Sequence, residues 1–258
     1  MGVFDIPPTI DFIISKTSIP KLTYVGHSQG ATQLISTMSI SSNMNYYNRV
    51  LNGFVALGPV TNLKYTSSKF VQLAVAMKMD KFIITLGINE FMRVPEDKDP
   101  LLGYICKWFT LFCDQLAQLI SDIFTGDNDH SKFVEYMFHF PAGTSTKSIS
   151  HFAQIHRRGE FIKYDNGYDE NYKKYKQPEP PVFNVELIRD LPICMMFGAD
   201  DRLSEEKDNR WIKEKFESNS ILHFYKKYDN MGHLTYFLAK DDKFIADIVS
   251  CANFFNNN

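Results

Sequence analysis

The five residues Gly26-His27-Ser28-Gln29-Gly30 constrain this chain more than any other segment. They end a β-rich run that starts at Lys21, and residues 29–38 beyond the serine read as a helix. A strand that turns directly into a helix through Gly-x-Ser-x-Gly sets the serine on a sharp turn, its Oγ clear of the sheet. Such a turn is expected to leave no room for side chains two residues to either side, which accounts for both glycines. The backbone N–H of Gln29 and the N-terminus of the following helix would face a developing oxyanion. The bare pattern arises by chance in roughly one such sequence in twenty, so the flanking strand and helix carry the argument.

A serine alone is a poor nucleophile; it needs a base and a carboxylate to orient that base. After an elbow of this kind they follow in the order acid, then histidine, each on a loop after a strand. Asp201 lies just past the apolar run 191–197, and His233 just past the strand-like run 221–228. Asp200 is an immediate rival, and either acid could be a solvated loop residue or a helix cap. His233 is one of seven histidines, and His27 is the poorer base because its place in the elbow points it elsewhere.

The elements alternate in a way that implies an α/β fold, with a mostly parallel sheet flanked by helices. Residues 1–60 and 176–258 supply this core, with about four strands and a last helix over 242–254. Residues 61–175 read as an inserted, mostly helical cap, with helices near 68–79, 82–91, 101–124 and 130–138 and no convincing strand. Residues 164–181 look like an irregular exposed connection, and Ser204 like the N-cap of a helix reaching about Phe216.

A formal net charge of −2 over 258 residues argues against a nucleic-acid or polybasic membrane surface. The apolar stretch 101–124 is broken by Lys107, Asp114 and Asp122, so it falls short of a membrane span. The N-terminus has neither the basic nor the apolar region of a secretory signal. Cys106, Cys113, Cys194 and Cys251 form no metal-binding pattern. Cys194 reads as a small buried hydrophobe, while Cys106 and Cys113 are close enough to be bridged or to stand as two thiols on a helix. The 22 phenylalanines can fill a core or line an apolar pocket.

Several segments then resemble the acid lipase family of gastric and lysosomal lipases. They are Asp5-Ile-Pro-Pro-Thr-Ile-Asp-Phe-Ile13, Tyr24-Val-Gly-His-Ser-Gln-Gly30, Ala56-Leu-Gly-Pro-Val60, Pro141-Ala-Gly-Thr-Ser145, Pro180-Pro-Val-Phe-Asn-Val185 and Gly232-His-Leu234. The resemblance implies an α/β-hydrolase with a helical cap over an acyl site, acting on triacylglycerols or sterol esters at a lipid–water interface. It puts the nucleophile on Ser28, the base on His233 and the acid on Asp201 rather than Asp200. It implies no metal or organic cofactor, and a secreted or lysosomal setting.

The chain departs from the family in three places. Thr235 stands where the family carries an acidic residue, two positions after the histidine. The cap cysteines are more closely spaced than the family's. The family pattern also begins before residue 1, so the first strands and a loop with the second oxyanion donor are expected upstream, in a full-length form of which this is a truncated part. A catalytically impaired remnant that binds lipid or a partner is the alternative expectation; acyl transfer to another alcohol is a third.

Overall fold

A computed structural model describes residues 1–91, 101–122, 128–139 and 142–257. The chain runs through α1 (Ile6–Thr17), β1 (Leu22–His27), α2 (Gln29–Met38), α3 (Ser41–Val50) and β2 (Leu51–Leu57). Next come α4 (Lys69–Ala76), α5 (Met79–Thr85), β3 (Glu90–Phe91), α6 (Leu101–Trp108), α7 (Thr110–Ser121) and α8 (His130–Met137). β4 (Thr144–Ser145), α9 (Thr146–Arg158) and α10 (Tyr168–Tyr175) lead to β5 (Ile193–Gly198), α11 (Glu206–Ser218), β6 (Leu222–Tyr228), α12 (Thr235–Leu238) and α13 (Lys243–Asn257).

β1, β2, β5 and β6 form one parallel sheet in that order. The central pair is apolar at nearly every position because both of its faces are covered. Phe54 and Ala56 of β2, with Ile193 and Met195 of β5, enter the core that also holds Leu34, Ile35, Tyr47, Ile212 and Phe216. Their alternates Val55, Leu57, Cys194 and Met196 enter a second core with Phe244, Cys251 and Phe255. The two-residue period of a strand thus feeds two helical layers, α2, α3 and α11 against one face and α13 against the other. β1 is an outer strand, and Val25 on it is exposed.

The region expected as a cap is mostly helical, but its elements differ from the sequence reading. β3 and β4 make a short antiparallel pair where no strand is expected. The expected 101–124 helix is two helices, α6 and α7, braced by a Cys106–Cys113 disulfide; residues 123–124 lie outside the described residues, as does Pro141. Helix α9 is unforeseen despite good stop signals: Ser145 Oγ accepts the Ser148 N–H at 3.1 Å, and Gly159 closes the helix at φ 67°. The stretch 164–181 is not wholly irregular, since α10 forms with Asp169 and Glu170 in its first turn and Lys173 and Lys174 in its last. Helix α3 is also unforeseen; Met44, Tyr47 and Val50 bury one side of an otherwise polar segment.

Two further expectations need correction. Ser204 does not cap α11, whose N-cap is Glu205. The Ser204 hydroxyl instead donates to the Pro59 carbonyl at 2.7 Å, tying the β5 loop to the β2 loop. Cys194 is not a free apolar thiol but is bonded to Cys251, linking β5 to α13. Among the described residues no helix is long and apolar enough to cross a membrane.

Closing a loop across 57 residues, as Cys194–Cys251 does, stabilises by about 4 kcal/mol in the chain-entropy picture. The 7-residue separation of Cys106–Cys113 is worth about 2.5 kcal/mol. Urea denaturation of oxidised protein should therefore show a larger loss for the pair Cys194→Ala/Cys251→Ala than for Cys106→Ser/Cys113→Ser. The reverse order would contradict this reading of the two bridges.

Candidate active site

The ends of β1, β5 and β6 deliver three side chains to one rim of the sheet. Ser28 is held at φ 52°, ψ −118°, a conformation that costs a residue with a Cβ about 1–3 kcal/mol. Packing holds it there: the Ser28 N–H donates to the Leu57 carbonyl at 2.9 Å, and α2 buries Ala31, Leu34, Ile35 and Met38 directly behind it. A Cβ on Gly26 would lie 2.8 Å from the Ala31 backbone nitrogen, so glycine is required there. Gly30 is different, since its Cβ would meet only the Tyr24 hydroxyl at 4.0 Å. The expectation of crowding at both glycines therefore holds for the first alone. That hydroxyl donates to the Gly30 carbonyl at 3.1 Å.

His233 Nδ1 lies 2.7 Å from Asp201 Oδ2, and its Nε2 lies 2.6 Å from Ser28 Oγ. With Asp201 ionised, Nδ1–H donates to the carboxylate and Nε2 is left to accept the serine hydroxyl. Asp201 is buried, and its other oxygen accepts the backbone N–H groups of Leu203 at 2.8 Å and Ser204 at 2.7 Å. Asp200 is not in this chain of bonds; its own N–H donates to the Met231 carbonyl.

Burial alone would push the His233 imidazole down. The charge and hydrogen bond of Asp201, with the charge of Asp122, outweigh burial and hold it above the usual histidine range. His27 goes the other way. Burial, then the charge of His233, lowers it to about 3, although its bond to the His233 carbonyl opposes the shift. A neutral His27 uses Nε2–H to donate to that carbonyl at 3.0 Å, its ring 4.7 Å from the His233 ring. Gln29 opens α2 beside Ser28, so its backbone N–H sits at the positive end of that helix.

The structure also adds Asp122, which the sequence reading used only as a charge interrupting an apolar run. Its carboxylate lies against the His233 loop. The signal available in the sequence is an acid at the end of an apolar helical run.

No protein-family model matches the chain. Gastric triacylglycerol lipase of Bos taurus is 33% identical to it over 246 residues, 93% of this chain and 59% of the relative. The Homo sapiens gastric triacylglycerol lipase is 32% identical over 256 residues, 97% of this chain and 62% of the relative. The chain thus spans about three fifths of the length of the curated relatives it matches. Among solved structures, a soluble variant of monoglyceride lipase from Saccharomyces cerevisiae is similar with a TM-score of 0.53 at 14% identity. That similarity covers 98% of this chain and 66% of the other. The fold is that of the α/β-hydrolases.

The contrast between the two glycines of the elbow is testable. Gly26→Ala should destabilise the protein by about 1–3 kcal/mol through overpacking against backbone. Gly30→Ala, inside α2, should be neutral or slightly stabilising. Equal losses in urea denaturation would show that the crowding is not confined to Gly26.

Proposed function

We propose, taking homology to the gastric triacylglycerol lipases as the premise, that this chain hydrolyses carboxylic esters of lipids, with Ser28 as nucleophile, His233 as base and Asp201 as the orienting acid. The observation that carries this reading is the unbroken hydrogen-bond chain from Asp201 through His233 to Ser28. Ser28 Oγ attacks the ester carbonyl carbon while Nε2 takes its proton, and Asp201 stabilises the imidazolium. The Gln29 N–H donates to the oxyanion of the tetrahedral intermediate. Nε2 then returns the proton to the departing alcohol, leaving the acyl group on Ser28. Water attacks that ester carbonyl carbon, giving a proton to Nε2; the intermediate then collapses, Nε2 passes the proton to Ser28 Oγ, and the carboxylic acid departs.

Triacylglycerols or sterol esters are the substrates this reading favours. Residues 61–175 would serve as a cap that meets the lipid–water interface. The α6–α7 corner supports this, because Trp108, Phe109, Leu111 and Phe112 are exposed by 81%, 64%, 76% and 63%. Apolar side chains exposed together in this way suit a lipid surface better than water. The two disulfides fit a secreted or lysosomal setting, where thiols are oxidised.

A fluorophosphonate should label Ser28 and leave Ser28→Ala unlabelled, with mass spectrometry locating the adduct. His233 must be neutral to accept the proton, and its pKa is raised, so labelling should slow as the pH falls. The midpoint should lie above the ordinary histidine value. Folded protein that takes no label would count against the triad. At the interface, Trp108→Ser/Phe112→Ser should lower hydrolysis of emulsified lipid by about tenfold or more while sparing a short soluble ester. Equal losses on both substrates would remove the interfacial role.

A further inference from the structure

Asp122 follows α7, in the segment proposed as the cap, and is 1% exposed. Its carboxylate accepts the backbone N–H of His233 and, at 3.2 Å, that of Leu234. Its backbone forms an antiparallel bridge with Asp201, and the Ser121 carbonyl beside it accepts the Arg202 N–H at 3.0 Å. One short stretch of the cap therefore grips both the acid loop and the histidine loop. Gly232 admits it, since a Cβ there would fall 2.4 Å from the Asp122 carboxyl carbon.

A carboxylate is expensive to bury, and among the described residues this one is met by two backbone N–H donors rather than by an ion pair. Burial, then the charge of Asp201, pushes its carboxyl up to about 7, while the charge of His233 and the two N–H donors pull the other way. Among the described residues, the neutral His27 at the end of β1 and the buried Tyr236 of α12 also lie near the imidazole. Position 235 holds no acid: Thr235 is buried, and its Oγ1 accepts the Gly232 N–H at 2.8 Å. The loop is thus served by a carboxylate that arrives from the cap, where the acid lipase resemblance puts one on the loop itself.

We infer that Asp122 is a positioning residue for His233, fixing the His233–Leu234 backbone from the cap and placing a negative charge beside the imidazole. The inference rests on the triad proposed above. It does not require Asp122 to touch substrate.

The test compares wild type with Asp122→Asn, a variant of nearly the same shape that lacks the charge. The His233 imidazole is titrated by nitrogen NMR, its resonances assigned by their loss in His233→Gln. The titration midpoint should fall by about 1 pH unit in Asp122→Asn. The fluorophosphonate labelling rate at pH 8 should fall about tenfold, because the amide carries no charge and puts an NH2 group where the second carboxylate oxygen accepts the Leu234 N–H. A folded variant with an unmoved His233 midpoint overturns the inference. Wild-type protein that takes no label while the His233 midpoint still shifts would overturn the triad reading and leave the coupling of Asp122 to His233 standing.

Discussion

Parallel hydrogen bonding among β1, β2, β5 and β6 sends four carboxyl ends to the same rim, and the spacing of the site is inherited from that ladder. The ladder does not stop where the strands do. The Ser28 N–H donates to Leu57, the Gly58 N–H to Met196 and the Ala199 N–H to Tyr228, each one step beyond regular pairing. The serine elbow, the β2 loop and the acid loop are therefore continuations of the sheet rather than loose connections. This is how a backbone as unfavourable as that of Ser28 persists: the ladder fixes one side of the turn, and the apolar face of α2 fixes the other.

The same principle extends into the loops through buried polar groups. Ser204 Oγ holds Pro59, Thr32 Oγ1 donates to the Val60 carbonyl at 2.5 Å, and Thr66 Oγ1 donates to the Arg202 carbonyl at 2.6 Å. The first and third weld the loop after β2 to the loop after β5, and the second satisfies a buried carbonyl while tying α2 to the β2 loop. The helical region of residues 61–175 is joined to this frame as well. Leu238 of α12 packs in the small apolar cluster of Cys106, Cys113, Phe133 and Met137, so the helix that follows His233 is anchored to α6, α7 and α8.

Much of this is legible in the sequence, and the reasons differ from place to place. The sheet can be read because β2 and β5 are short apolar runs bounded by turn residues, a pattern that burial on both faces imposes. The meeting of Ser28, Asp201 and His233 can be read from the order of residues after successive strands, once the strands are recognised. Helix α3 hides because its apolar positions are few, and α10 because a Tyr- and Lys-rich segment looks like solvent-exposed chain until its charges are set against the helix dipole. The Cys194–Cys251 bond joins residues 57 apart, and no local pattern reports such a pairing. Ser204 misleads for a related reason: it is a good capping residue with a stronger use elsewhere.

Asp122 is the case in which local reading fails for the most physical of reasons, since its meaning depends on a partner more than a hundred residues away. Two carboxylates flank His233, Asp201 at the imidazole and Asp122 at the backbone of the same residue. With the imidazole neutral and both acids ionised, the cluster carries two like charges in a buried space. Transfer of a proton to Nε2 halves that net charge, so the arrangement favours the state in which the histidine has accepted a proton. In the triad proposed above, the second carboxylate thereby strengthens His233 as the base, although it never touches Nε2. If residues 61–175 act as the cap proposed above, basicity at His233 and docking of that cap become one equilibrium. Any displacement of the cap that withdrew Asp122 would leave the His233 and Leu234 N–H groups without their acceptor and make His233 a weaker base in the same movement.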